Sequence, residues 1–202
     1  MVLLDILKDP FFETRYKAVL KIPPTENDLF KTIMIILNKI NDCKELSLDD
    51  FETWFYSNYS MSKNRCYNTW KTLERANLIR KTPKKGLALT IDGEKCISLV
   101  DIEKIKINIM KNFSDSFIGI FEFLYLCSSY NSGTRQQRQH YLFQTWYSNY
   151  ESSFDTKRSL KSSKHQFDII KLYLESLGMI QLQSGLLIPN IHMINKILDN
   201  YQ

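Results

Sequence analysis

With 202 residues, 44% of them apolar and 24% charged, the chain has the composition of an ordinary globular protein and the length for one sizeable domain or two small ones. No apolar run approaches the roughly 20 residues that cross a bilayer, and Met1-Val2-Leu3-Leu4-Asp5 lacks the basic start and small-residue cleavage site of a signal peptide, so a cytoplasmic protein is expected. The net charge of +5 is modest but unevenly placed: Lys63, Arg65, Lys71, Arg75, Arg80, Lys81, Lys84 and Lys85 fall in one short stretch opposed only by Glu74, which points to a polyanionic partner.

Residues 1–24 read as an N-terminal arm. Leu3 to Leu7 predict a short helix, Pro10 interrupts it, Pro23-Pro24 close the segment, and Arg15, Lys17 and Lys21 make it mildly basic. Thr25, with Asp28 three residues on, resembles a capping box and opens a helix over about 26–40, where Leu29, Ile33, Ile36, Leu37 and Ile40 recur at helical spacing. A short strand is expected over 44–46. Ser47, with Asp50 after it, caps a second helix whose inward face is Phe51, Trp54 and Phe55. A turn over 58–61 leads to a third helix over about 63–76, capped by Ser62. Its Cys66, Trp70 and Leu73 face the core, and Lys63, Asn64, Asn68, Lys71, Thr72 and Arg75 lie opposite. Asn77 stands where the helix must end, and asparagine tolerates the left-handed conformation of a C-terminal cap. Residues 78–82 and 87–91 flank Pro83-Lys84-Lys85-Gly86 and predict a β-hairpin. Gly93 opens another helical stretch.

Residues 100–113 predict a connecting helix with Ile102, Ile105 and Ile109 on one face. Ser114 is expected to cap the next helix, over about 115–129. Asn131-Ser132-Gly133 is a loop, and Thr134 caps a helix to about 148 that carries Leu142, Phe143 and Trp146. The polar stretch Glu151 to Ser163 reads as a loop. A helix from Ser163 follows, with Phe167, Ile170, Leu174 and Leu177 inward and Gly178 as its C-cap. Residues 179–188 form a smaller, uncharged hairpin around Ser184-Gly185, and 190–200 close the chain as a helix.

The two halves echo one another in order. Phe51-Glu52-Thr53-Trp54 returns as Phe143-Gln144-Thr145-Trp146, and Tyr56-Ser57-Asn58-Tyr59 as Tyr147-Ser148-Asn149-Tyr150. Leu73-Glu74-Arg75-Ala76-Asn77-Leu78-Ile79 is answered by Leu174-Glu175-Ser176-Leu177-Gly178-Met179-Ile180. A period this long predicts duplicated domains, over 25–99 and 114–202, joined by the helix of 100–113.

The order helix, short strand, helix, turn, helix, hairpin resembles the winged helix-turn-helix superfamily. Leu73-Glu74 followed by Leu78-Ile79 at the hairpin entrance carries the likeness, with Leu89-Thr90-Ile91-Asp92-Gly93 at its exit. The expected fold is mostly α with small β-hairpins (α+β), arranged as two winged helix-turn-helix units in tandem. The resemblance implies binding to double-stranded DNA, with the third helix in the major groove. Lys63, Asn64, Asn68 and Lys71 are then expected at or near base edges, Ser62 and Arg75 at phosphates, and Lys81, Lys84 and Lys85 of the wing at phosphate or minor groove. The second copy offers Arg135 and Arg138 at one helix start, Lys157, Arg158 and Lys161 in its long loop, and Lys164. Asp168, Glu175 and a neutral hairpin oppose them, so a purely structural role is equally open.

Tandem or triple winged helices also resemble the recognition regions of type IIS restriction endonucleases, which implies a nuclease domain or subunit as partner. Plasmid replication initiators and transcriptional regulators are further DNA-binding likenesses. Protein-assembly scaffolds built of winged helices are the alternative of another class, and a scaffold would not need the basic helix and wing of the first copy. No Walker loop, H-E-x-x-H or G-x-S-x-G occurs. Asp92-Gly93-Glu94-Lys95 has a superficial likeness to the D/E-x-K element of metal-dependent nucleases, but at a position where a helix should start. Cys43, Cys66, Cys96 and Cys127 form no C-x-x-C and read as reduced, mostly core residues, so neither metal nor cofactor is expected. Tyr56, Tyr59, Tyr147 and Tyr150 read as amphipathic core edges rather than base-stacking platforms.

Overall fold

The computed structural model describes residues 15–16, 18–23, 28–129, 135–152, 159–183 and 186–199. They hold nine helices, a three-stranded antiparallel sheet and a two-stranded hairpin, so the fold is mostly helical with small β elements. The chain divides into two compact units. One is Leu20–Asn112, and the other joins the residues up to Val19 with Phe113–Gln202.

The Leu20–Asn112 unit begins with α1 (Leu29–Cys43), capped by the Asp28 carboxylate, which accepts from the Lys31 amide at 3.3 Å. The cap is therefore Asp28, and the expected Thr25 lies outside the described residues. After β1 (Leu46–Ser47) comes α2 (Leu48–Tyr59). Ser47 caps it: the Asp50 amide donates to Ser47 Oγ at 3.1 Å, and Ser47 Oγ donates to the Asp50 carboxylate at 2.6 Å. α3 (Lys63–Arg75), β2 (Ile79–Lys81), β3 (Gly86–Leu89) and α4 (Ile91–Ser98) complete the series. The sheet order is β1-β3-β2, with Leu46 opposite Leu87 and Ile79 opposite Leu89. Leu29, Ile33, Ile36, Leu37 and Ile40 of α1 are fully buried, as are Phe51 and Phe55 of α2 and Leu73 of α3. Ile91 belongs to α4 rather than to the strand expected there.

α5 (Ile102–Ser116) is longer than the connecting helix expected over 100–113, and the division between the units falls within it. Ser114 is buried inside this helix and does not cap a new one; of the three isoleucines expected on one face, Ile105 and Ile109 are buried and Ile102 is 60% exposed. The break comes later, at Gly119, whose φ of 95° stops the chain before α6 (Ile120–Ser129). Glu122 in the first turn of α6 accepts the Gly119 amide at 2.8 Å. The same carboxylate takes both guanidinium nitrogens of Arg15, at 2.7 and 3.2 Å, with side chains 3% and 0% exposed. Arg15, expected in a basic arm, is thus a buried partner of α6. The neighbouring Tyr16 amide donates to Ser116 O at 2.7 Å. The rest of this unit is α7 (Arg135–Ser152), α8 (Leu160–Ser176), β4 (Ile180–Gln183), β5 (Leu186–Pro189) and α9 (Ile191–Leu198). The loop expected over 151–163 is shorter than predicted, because α7 runs to Ser152 and Ser159 caps α8 by accepting the Ser162 amide at 3.2 Å. The expected Thr134 cap lies outside the described residues.

The repetition extends to individual hydrogen bonds. α3 and α8 both end in a Schellman motif: Leu78 N–H bonds Leu73 O at 3.0 Å, as Met179 N–H bonds Leu174 O at 2.8 Å. Asn77 (φ 54°) and Gly178 (φ 77°) hold the left-handed position in each. Beyond each hairpin, the residue that caps the closing helix reaches back to this motif. Thr90 donates its amide to Leu78 O at 3.2 Å and its hydroxyl to Asn77 O, and accepts the Gly93 amide at 3.1 Å. Asn190 donates its amide to Met179 O at 2.8 Å and its side chain to Gly178 O at 3.2 Å, and accepts the Met193 amide at 3.3 Å.

Earlier in each unit the sequence echo misleads by one residue. Phe51 and Phe55 are buried in α2 while Trp54 is half-buried; in α7 the buried set is Leu142, Trp146 and Tyr150, and Phe143 is half-buried. Burial therefore pairs Phe55 with Trp146, not Trp54 with it. That phase agrees with the Tyr-Ser-Asn-Tyr match and not with the Phe-x-Thr-Trp one.

Gly93 is held where no side chain fits, because a Cβ there would lie 2.0 Å from Leu78 O. Gly93→Ala should cost on the order of 3 kcal/mol, read as a lowered urea midpoint; an unchanged midpoint would contradict the close approach. Glu122→Gln replaces the carboxylate of a buried, two-pronged ion pair by a neutral amide and should cost about 3–5 kcal/mol by the same measurement.

Candidate functional site

The most cationic part of the chain is carried by α3 and the β2–β3 hairpin. α3 exposes its N-terminal half: Ser62, Lys63, Asn64, Arg65 and Tyr67 are exposed, whereas Asn68, Lys71 and Arg75 are half-buried. Thr72, expected on the outward side, is fully buried, and its hydroxyl donates to Asn68 O at 2.8 Å, with Leu20 O 3.5 Å away. Ser62 occupies the N-cap position with no side-chain cap hydrogen bond, so its hydroxyl is not consumed by the helix.

The helix and the hairpin meet at Trp70. This residue is 4% exposed, and two ammonium groups lie over its ring: Lys71 Nζ at 5.5 Å and Lys81 Nζ at 5.1 Å. The negative face of the indole favours both cations and offsets part of their mutual repulsion. Tyr67 stands edge-on to the same ring, with centroids 5.1 Å apart and planes at 82°. Lys71 also forms an ion pair with Glu74, and Lys63, its side chain 80% exposed, is 3.8 Å from Glu52 of α2. Pairs this exposed hold about 1 kcal/mol or less, so Lys63 is readily exchanged to another anion.

The hairpin turn is ordered by Thr82. Its amide donates to Gly86 O at 2.9 Å, its carbonyl accepts the Lys85 amide at 3.0 Å, and its hydroxyl accepts the Gly86 amide at 3.0 Å while bonding the Glu45 carboxylate. Lys85 takes the left-handed conformation, φ 61°. Lys81, Lys84 and Lys85 are all exposed. Of the residues singled out from sequence, the structure joins Lys71 and Lys81 at Trp70 and leaves Ser62, Lys63, Asn64, Lys84 and Lys85 exposed on the same two elements. It leaves Asn68 and Arg75 partly covered. Arg65, Tyr67 and Arg80 are exposed on the same two elements and were not assigned roles from sequence. For Arg65 and Arg80 the signal was their presence in the cationic cluster, and for Tyr67 its position beside the Cys66–Trp70 core stripe.

The corresponding surface of the other unit is weaker. Lys161, Lys164 and His165 are exposed on the first turns of α8, so Lys161 sits on a helix and not in the expected loop. Lys171 pairs with Asp168 at 2.7 Å and lies over Phe167 at 5.1 Å. Lys157 and Arg158 lie outside the described residues, and Arg135 and Arg138 are in α7 with side chains outside the described set.

Other chemistry finds little support in the geometry. Asp92, Gly93, Glu94 and Lys95 lie inside α4, where the Asp92 carboxylate accepts from the Asn77 amide group at 2.9 Å. No group of three or more His, Cys, Asp or Glu among the described residues could hold a metal. Cys66, Cys96 and Cys127 are buried free thiols and Cys43 is exposed. Burial, with Glu52 nearby, pushes the Cys66 thiol up to about 12, and burial raises Cys96 and Cys127 as well, so all three are neutral thiols near pH 7. Tyr150 is fully buried, and Tyr56, Tyr59 and Tyr147 are half-buried. No described helix is long and apolar enough to cross a membrane. Compared with known proteins, the chain matches no family model, no curated protein and no solved structure.

Proposed function

We propose that the chain binds double-stranded DNA through winged helix-turn-helix units in tandem, the Leu20–Asn112 unit making the principal contacts. The observation that carries this reading is the joining of two cationic elements at Trp70, where Lys71 of α3 and Lys81 of the hairpin lie over one ring while the N-terminal half of α3 stays exposed. A recognition helix meets base edges chiefly through its N-terminal residues, and that is the half of α3 left open. The sheet order β1-β3-β2 supports the winged-helix assignment, since it places the hairpin against the strand that precedes α2. The repeated clasp in the other unit supports its being a second copy of the same design.

In this reading Lys63, Asn64 and Arg65 face base edges. Lysine and arginine suit guanine O6 and N7, and asparagine pairs bidentately with adenine. Ser62, Arg80, Lys81, Lys84 and Lys85 bind phosphates, which supply affinity without sequence information. Lys71 contributes only on release from Glu74. Lys161 and Lys164 of α8 give the second unit a subsidiary role. Recognition of this kind suits the division of labour implied by the likeness to type IIS restriction endonucleases, in which a nuclease domain or subunit cuts beside the bound site.

Selection of duplexes from a random library should recover one motif. For that motif, Lys63→Ala, Asn64→Ala and Arg65→Ala together should reduce binding to the level of unrelated duplex; undiminished affinity sinks the assignment of α3. Replacing Lys81, Lys84 and Lys85 by alanine should weaken binding to all duplexes alike. It should also lower the slope of log affinity against log salt by about one for each phosphate that is no longer neutralised. Elution from heparin and from random duplex at low salt, with no motif recovered, would favour a protein-assembly role instead.

A further inference from the structure

Tyr67 is the large apolar side chain on the open face of α3. It is 46% exposed and lies one turn beyond Lys63 and Asn64 and one turn before Lys71. The fold does not require an aromatic ring there. The hydrogen-bond register of the two Schellman motifs puts Asp168 of α8 at the corresponding position, where it pairs with Lys171 at 2.7 Å. The ring is also oriented, standing edge-on to the buried Trp70 with centroids 5.1 Å apart and planes at 82°. A tyrosine held in this way presents contact area at little further entropic cost on binding.

A helix in the major groove meets the edges of the bases, so Tyr67 cannot stack on their faces while the duplex stays closed. The apolar group on offer along those edges is the methyl on pyrimidine C5. We propose that Tyr67 is a specificity-determining residue that packs against a pyrimidine 5-methyl group in the major groove, an inference that rests on the proposed DNA binding. Thymine carries this methyl intrinsically and 5-methylcytosine carries it by modification, and both present it at the same edge.

The test uses the full chain and the duplex recovered by selection. Each thymine is replaced singly by deoxyuridine, which removes the methyl alone, and each dC is replaced singly by its 5-methyl derivative. At one or two positions, loss of the methyl from thymine should weaken binding about fourfold, the worth of one buried methyl. A similar gain on methylating dC names the modified base as the source. Tyr67→Ala should erase the discrimination, and Tyr67→Phe, which keeps the ring, should retain it. Indifference of the wild-type protein to both base changes overturns the proposal while leaving duplex binding intact, as does methyl discrimination that survives in Tyr67→Ala. Failure to recover any duplex sinks the DNA reading and this inference with it.

Discussion

Much of the structure depends on how the chain leaves its third helix. A left-handed residue ends α3 at Asn77 and α8 at Gly178. The cap of the next helix then closes back on that turn through two backbone carbonyls. Each hairpin is consequently a loop clasped at its base, and the direction of its strands is set by the end of the helix. Gly93 shows how tight the clasp is, since α4 packs against the Leu78 carbonyl with no room for a methyl group. Thr90 and Asn190 differ chemically but perform the same task. Each satisfies a carbonyl that the Schellman turn would otherwise expose, and each caps a following helix.

That clasp creates an electrostatic problem in the first copy, because it holds two lysine-bearing elements close together. Trp70 answers part of it. Lys71 and Lys81 both lie over the buried indole, whose negative ring face favours each cation. Glu74 and Glu52 remove part of the remainder, each from the edge of the patch. The hairpin tip has a different support, the Thr82–Glu45 bond, which uses a carboxylate at its base and leaves Lys84 and Lys85 exposed. The positive face is thus maintained by contacts at its margins.

Features encoded within a few residues were legible in the sequence. Ser47 with Asp50, Asn77, Gly178 and both hairpins depend on local backbone chemistry, and the structure has them where the sequence puts them. Four of the misreadings have non-local causes. Ser114 is a good cap residue, yet the helix continues through it because the stop at Gly119 is fixed by Glu122 and by Trp146, whose indole N–H donates to Gly119 O at 2.8 Å. Arg15 finds its carboxylate 107 residues away, a pairing without local signature. The phase of α2 against α7 is decided by which aromatic reaches the core, and aromatic identity alone did not reveal it. On α3, helical spacing identified the outward side correctly in outline, but the burial of Thr72 beside Leu20 cuts the open surface to the N-terminal half.

The shared helix ends put α3 and α8 in register, and their outward residues can be compared position by position. Lys63 and Lys164 occupy corresponding positions and are both exposed, so an exposed cation at this position is common to the two units. The next positions separate. Arg65 is exposed where its counterpart Gln166 is buried, Tyr67 is replaced by Asp168, and the buried Trp70 by a half-buried Lys171 that satisfies Asp168. The position of Trp70 thus carries no ring in α8, and the corresponding hairpin bears no cation. The indole and the hairpin charge are present together in one unit and absent together from the corresponding places in the other, where Lys171 is paired within its own helix by Asp168.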